Sequence, residues 1–433
     1  MNSLRWIGPA LALCATLSTA WAAEPAPMPA VTDEAAWVQR LALPPLLPTR
    51  EVIGALPQVR AARAGMDLAR ARQQGLQSGA YEWTLRAGVQ QRAETAGPNY
   101  IENDVALERS IRWGGKAQAD RDLGEAGVSA SLSSYADTWH ESVRGLLQAW
   151  FDWQRGRSAA RVQGEQTALA QQQLDIAARR VKAGDVPRLD ELMAQAERDR
   201  MQALHQQALG QEAQLRTELE KRFPGLALEV ATAGEMAPDA LQLPGEPAQW
   251  VQRILDDNHE IELAEAEVRM ARLRSERAGM DTRPDPLLGV RAARERGGAE
   301  NIVGAYVAIP LTGSYRASEE KAALAQLAAA EQRLLQTRQR VEAAAQRVVL
   351  RATYALATWR RLAAVDQAMA HVAQLGMKAY GLGEMTLTEA LQSRRTALDA
   401  ALAAEAARWD ALEAVSRVLV DAHQLWAAEE GPQ

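Results

Sequence analysis

What the sequence is short of sets its first limits. It has one cysteine in 433 residues, and that residue, Cys14, lies in an apolar stretch near the N-terminus. The rest of the chain therefore offers no disulfide, no thiolate metal site and no cysteine nucleophile. After residue 22, no apolar run reaches the ~20 residues that a spanning helix needs. Basic charge is not in excess: the formal net charge is −6, so a general affinity for nucleic acid is not expected. Catalytic constellations are missing too. The histidines are His140, His205, His259, His371 and His423, and no two fall at metal-ligand spacing. His423 in particular reads as a packed or surface histidine. Gly114-Gly115 and Gly297-Gly298 read as turns, since neither has the spacing or the lysine of a phosphate loop. The expectation is a protein that is not an enzyme and carries no cofactor and no metal site.

The chain opens Met1-Asn2-Ser3-Leu4-Arg5 and runs apolar from Trp6 to Ala20, with Ala20-Trp21-Ala22 ahead of Ala23. A basic tip, a short apolar stretch and small residues at the −3 and −1 positions describe a secretory signal peptide over residues 1–22. An uncleaved anchor is the alternative, and the stretch is short for it. Cys14 follows Leu13, where lipid attachment calls for a small residue. Loss of the leader removes Arg5 and makes the chain slightly more acidic. A secreted chain of this kind stays in the periplasm, leaves the cell, or enters the outer membrane as strands.

The remainder is a tandem repeat. Gly184-Asp185-Val186-Pro187-Arg188-Leu189-Asp190-Glu191-Leu192 aligns with Gly383-Glu384-Met385-Thr386-Leu387-Thr388-Glu389-Ala390-Leu391. Ala87-Gly88-Val89 matches Leu288-Gly289-Val290, and Ile111 to Gly115 matches Ile309 to Gly313. The first unit covers residues 23–230 and the second 231–427, with a tail at 428–433. The Gly- and Pro-rich stretch 225–246 links them. Each unit has the order helix, two strands, very long helix, return helix. The leading helices are expected at 51–80 and 247–280. The strands follow at 82–92 with 102–112, and 286–294 with 301–311. The long helices fall at 116–182 and 314–381, and the return helices at 188–221 and 387–427.

Leu327, Leu334, Val341, Val348, Ala355, Leu362 and Met369 recur every seven residues. A heptad seam this long argues for supercoiled helices. Beside it stand Ala330, Ala344 and Ala345, small enough for close helix approach. Some 65 residues of helix reach roughly 100 Å, which suits an object crossing the periplasm. An ordinary coiled-coil rod fits the same seam.

The strands alternate. Ile101, Asn103, Val105, Leu107, Arg109 and Ile111 share one face; Glu102, Asp104, Ala106, Glu108, Ser110 and Arg112 share the other. Val303, Ala305, Val307 and Ile309 alternate with Ile302, Gly304, Tyr306 and Ala308. Strands of about ten residues with one largely apolar face fit lipid outside and a lumen inside. Asn103 and Arg109 interrupt that face. Tyr81, Trp83 and Trp113 cluster at one end, as an interfacial aromatic girdle requires; a small periplasmic sheet packed by tryptophan is the alternative. Four strands cannot close a membrane barrel, whose smallest versions have about 8, and an open edge in lipid is too costly. Strands in a membrane thus require several chains per barrel.

These residues resemble the TolC-type outer membrane factors across about residues 50 to 427. The likeness lies in the leader, the duplicated halves, the Gly-turn segments, and Val307-Ala308-Ile309-Pro310-Leu311-Thr312-Gly313 leading into the long helix. The segments from Ala379 to Leu391 and from Asp421 to Trp426 are most similar to the CzcC-like branch serving heavy-metal cation pumps. The resemblance implies a mainly α fold with a membrane β-barrel, in which a homotrimer closes a twelve-stranded barrel in the lipid of the outer membrane of a Gram-negative bacterium. A long coiled-coil α-barrel then stands in the periplasm and docks on a periplasmic adaptor (membrane fusion) protein. The implied function is the exit duct of a tripartite efflux pump, with an RND-type inner-membrane pump exporting heavy-metal cations or small toxic compounds. Service in type I protein secretion is an alternative; a soluble periplasmic scaffold or adaptor is another, though no lipoyl-like β module is visible.

By resemblance, Gly184, Asp185, Gly383 and Glu384 sit at the hairpin tips where the adaptor docks. Asp185 and Glu384 also suit helix starts, and both readings stand. Asp190 and Glu389 occupy matched positions, about one and a half turns into each return helix, where the family places carboxylates at the tunnel entrance. A trimer would ring the aperture with six carboxylates and favour cations; two solvated helix acids is the plainer account. Tyr380 is the family's candidate for a gate contact. The family's arginine two residues beyond the turn glycine and its further aspartate are here Met385 and Gln392, so the locking network must differ.

Overall fold

The computed structural model describes residues 34–228, 237–311 and 313–428. The expected signal peptide, most of the tail and part of the link between the halves lie outside the described residues. The elements run α1 (Glu34–Arg40), α2 (Leu46–Ala55), α3 (Pro57–Ser78), β1 (Thr84–Arg92), β2 (Tyr100–Ser110), α4 (Lys116–Ala183) and α5 (Arg188–Arg222) in the first part. The second part has α6 (Pro247–Asp256), α7 (His259–Asp281), β3 (Leu287–Glu295), β4 (Glu300–Ala308), α8 (Ser314–Leu382) and α9 (Leu387–Asp421). The fold is mainly helical with one small sheet, and the order of elements repeats.

Both leading helices, expected to be continuous, are split. Leu56 precedes Pro57 and sits extended at φ −62°, ψ 141°, because the proline ring excludes the helical region for the residue before it. Asn258 starts α7 afresh, its side chain accepting from the Ile261 N–H at 3.1 Å. The last helix stops at Asp421, short of residue 427. His423 N–H and Gln424 N–H close the turn onto Val420 O and Leu419 O, and His423 itself takes φ 55°.

At 68 and 69 residues, α4 and α8 are each about 100 Å long. Their heptad seam is not the fully buried line of α8. Val341 is buried, while Leu327, Leu334, Val348 and Leu362 are half-buried. The deepest stripe runs beside them through Ala330, Ala345, Val349, Ala352, Leu356 and Trp359. Other apolar residues of α8, among them Leu324, Leu350, Tyr354 and Leu382, stay more than half exposed. The main core lies part-way along α4, where Trp150 and Phe151 are fully buried. Indole N–H groups pin the surrounding segments there: Trp150 donates to Ala42 O at 2.9 Å and Trp139 to Trp426 O at 2.8 Å. This core joins α1, α2 and α6 to both long helices.

The sheet is antiparallel in the order β1-β2-β3-β4, so β2 and β3 join the two halves. Its register sorts the faces. Leu85 pairs with Leu107, Leu107 with Val290, and Val290 with Ala305. Val105, Ala292 and Val303 form the next row. This face is open: Leu85 is 70% exposed and Val303 86%. The opposite face is polar, with the acids of β2 covered by their partners while Arg86 and Arg291 stay open to solvent. Glu102 and Glu108 are buried, held by Arg92 Nε at 2.7 Å and Arg86 Nη2 at 2.6 Å. The Tyr306 hydroxyl also donates to Glu108. The order is the reverse of a soluble sheet, which hides its apolar face. No helix among the described residues is long and apolar enough to cross a membrane.

Candidate functional site

Two ends of the molecule hold the candidate residues, the junction of sheet and helices and, about 100 Å along the helices, the hairpin tips.

At the junction the structure gathers Tyr81, Trp83 and Trp113. Trp83 and Trp113 are 63% and 55% exposed. Arg109, out of place on an apolar face, packs its guanidinium 5.7 Å from the Trp83 ring and donates to Tyr81 O at 2.9 Å. The Tyr81 side chain reaches across to the other half, where its hydroxyl donates to Asp285 Oδ2 at 2.8 Å. Asp285 Oδ1 also accepts from Lys116 Nζ at 2.8 Å, and Lys116 is fully buried. Burial alone would raise the Asp285 pKa, but the hydrogen bonds from Lys116 and Tyr81 and the Lys116 charge hold it below the ordinary value. A further set continues the joint: Asp120 accepts from Arg112 at 2.7 Å and Arg277 at 2.6 Å. Sequence reasoning missed this network, since its partners lie in opposite halves.

At the tips the two halves close alike. Gly184 at φ 80° and Gly383 at φ 82° occupy the left-handed region, where a side chain would be strained. Asp185 N–H donates to Arg180 O and Glu384 N–H to Ala379 O, both at 2.9 Å, the double closure expected after a C-terminal glycine. Asp185 and Glu384 are exposed.

Asp190 and Glu389 are each the third residue of their helices, α5 and α9, which places them in the first turn and not one and a half turns in. They do different things. Glu389 belongs to a capping box: its Oε2 accepts from Thr386 N–H at 3.0 Å and Thr386 Oγ1 at 2.7 Å. Those two bonds lower its pKa. The residue matching Thr386 is Pro187, which has neither hydroxyl nor N–H to offer. Asp190 is left to a partner from the other half, and Tyr380 Oη donates to it at 3.3 Å.

Tyr380 is buried among Ala177, Ala194, Leu387, Ala390 and Leu391. Its carbonyl accepts from Arg180 Nη1 at 2.6 Å, and the Arg180 guanidinium lies 4.9 Å from its ring. Arg180, Tyr380 and Asp190 thus join α4, α8 and α5. Above them Arg395 Nη2 pairs with Glu197 at 2.6 Å, and Arg394 Nη1 donates to Gln173 Oε1 at 2.7 Å. The arginine that contacts Tyr380 stands before the turn glycine of the first half, where the motif could not reveal it.

No family model matches the sequence, and no curated protein matches it. Solved structures do match. The Campylobacter jejuni CmeC outer membrane channel superposes with a TM-score of 0.74 at 14% identity, over 100% of this chain and 96% of that chain. The open state of the Neisseria gonorrhoeae MtrE outer membrane channel gives 0.60 at 16% identity, covering 91% of each chain. This chain has the fold of outer membrane channels. The outer membrane protein VceC of Vibrio cholerae shares that channel fold at a TM-score of 0.70 and 14% identity, over 89% of this chain and 96% of that chain.

Proposed function

We propose that the protein is the outer membrane exit duct of a tripartite efflux pump. Three copies close a twelve-stranded barrel in the outer membrane, and their paired helices make a tunnel through the periplasm. The hairpin tips meet a periplasmic adaptor, and an RND-type inner-membrane pump drives heavy-metal cations or small toxic compounds through. The duct itself catalyses nothing.

One observation carries this reading: a four-stranded sheet with an apolar face exposed, a charged opposite face whose β2 acids are buried in ion pairs, and two edges, β1 and β4, left open. Open edges cannot persist in lipid, so a sheet built for lipid on one side demands further copies. Exposed α8 residues such as Leu350 and Tyr354 supply apolar surface for those copies along the tunnel. The exposed acids Asp185, Glu384 and Glu389 at the tips suit an entrance that admits cations.

Planar-bilayer conductance of the detergent-extracted oligomer tests the proposal. Discrete, long-lived current steps that vanish when the oligomer is dissociated are expected. A protein that stays in solution without detergent and passes no current would overturn it.

A further inference from the structure

Three of the five histidines come together although they are far apart in sequence. His140 lies on α4, His259 opens α7, and His423 sits in the turn after α9. Their ring centroids are 5.0 Å apart for His140 and His423, 4.5 Å for His259 and His423, and 6.2 Å for His140 and His259. Imidazoles sharing one tetrahedral ion, with metal–nitrogen bonds of about 2.0–2.1 Å, have centroids about 5 Å apart. We propose that His140, His259 and His423 form a binding site for a divalent transition-metal cation of the copper, nickel and zinc class.

The hydrogen bonds around the rings are those such a site needs. His140 Nε2 faces Asp421 Oδ1 at 3.2 Å, and His259 Nδ1 faces Glu262 Oε2 at 3.1 Å. Each ring then keeps its other nitrogen free, and a ligating histidine commonly donates its second N–H to a carboxylate. His423 has both ring nitrogens buried and without a hydrogen-bond partner. Two unsatisfied buried nitrogens are costly unless they gain a partner. The backbone at His423 is held at φ 55°, in a position where glycine is the usual occupant. The turn therefore accepts strain where the ring is presented.

The nearby Arg144 is engaged by Asp421 at 2.9 Å, by Glu260 at 3.5 Å and by Glu141, so its charge does not stand alone. As the side chains stand, no three such groups among the described residues are placed to hold a metal ion. Two of the three ring separations match that of a shared ion and the third is wider, so an ion would have to draw His140 and His259 together by rotation of their side chains. An ion there would tie α4 to α7 and to the turn after α9, across both halves.

This proposal is independent of the channel function, because it is read by binding alone. The full-length purified oligomer is titrated with Zn2+ and with Cu2+ against a chromophoric chelator, and the Cu2+ form is examined by electron paramagnetic resonance. One ion per chain with a multi-nitrogen hyperfine pattern is expected. His259→Ala, at a helix start, and His423→Gln should each abolish most of the binding, with the helical circular dichroism unchanged. His205→Ala and His371→Ala should leave it intact. Failure of both ions to bind, or binding that survives His259→Ala, overturns the site. So does equal loss in His371→Ala, which would mark scattered surface histidines.

Discussion

Tyr380 Oη donates to Asp190 Oδ2 at 3.3 Å and so ties the long helix of the second half to the return helix of the first. Burial and, next, the Asp190 charge raise the Tyr380 pKa above its ordinary value, so the phenol remains a donor throughout the physiological range. A hydrogen bond to a charged group contributes about 1.5–3 kcal/mol. Tyr380→Phe removes that bond and keeps the packing against Ala177 and Leu391. The expected result is a larger or leakier single-channel conductance, with melting lowered by no more than several degrees. Asp190→Ala combined with Glu389→Ala should go further and weaken cation preference. Unchanged conductance and selectivity in both variants would show that the tip acids and Tyr380 do not hold the entrance.

If the hairpin tips meet an adaptor as proposed, Gly383 should be the most sensitive single position for docking. Proline there is held near φ −65° against the 82° required, and it cannot supply the N–H that closes onto Tyr380 O at 3.1 Å. Gly383→Pro is expected to abolish pump-dependent resistance while trimers still reach the membrane. Gly383→Ala should be milder, at about 1 kcal/mol of local strain. Resistance in cells, measured beside trimer content by native electrophoresis, separates docking from assembly. Loss of the trimers themselves would make Gly383 a folding residue only.

Much of this architecture was legible in the residues. The duplicated Gly-acid segments located both tips, and the period of two in Ile101 to Arg112 named the exposed and covered faces of β2. Breakpoints were harder. Leu56-Pro57 split a helix that its pattern ran through, although the proline was in plain view. What stayed hidden is contact between the halves. Asp190 and Glu389 look equivalent in sequence, yet one bonds to Tyr380 and the other to Thr386. The two differ in the residue three places before them: Thr386 caps Glu389, whereas Pro187 has nothing to offer Asp190, which meets a partner 190 residues away. Arg180, Lys116 and the grouping of His140, His259 and His423 were silent for the same reason. Nothing local in a sequence records which distant helix a side chain will meet.

The junction beneath the sheet should show a defined pH dependence. Asp285 has its folded pKa below the unfolded one, so its stabilisation is complete above the unfolded value near pH 4 and is lost as pH falls further. Lys116 and Asp285 are both buried, and removing one partner of such a pair costs roughly 3–5 kcal/mol. Asp281 lies 3.2 Å from Lys116 Nζ, which puts Asp285→Asn at the lower end. Thermal melts should separate variant from wild type by a constant gap between pH 7 and pH 5, closing below about pH 4. A gap that already closes near pH 6 would assign the effect to another group.

The sharpest test of the sheet is a pair of charges placed on its two faces. Val303 is 86% exposed on the apolar face, in the row of Val105 and Ala292. If that face meets lipid, Val303→Arg costs about 2–4 kcal/mol at mid-bilayer depth, and assembled protein should fall in the outer membrane fraction. Arg86 lies on the other face, 64% exposed at its side chain and paired with Glu108. If that face lines a lumen, Arg86→Gln removes a lumen charge, so assembly should persist while ion selectivity moves toward cations. Membrane fractionation and reversal potentials read the two variants separately. Equal tolerance of both would mean that neither face meets lipid, and the sheet would then belong to an aqueous domain.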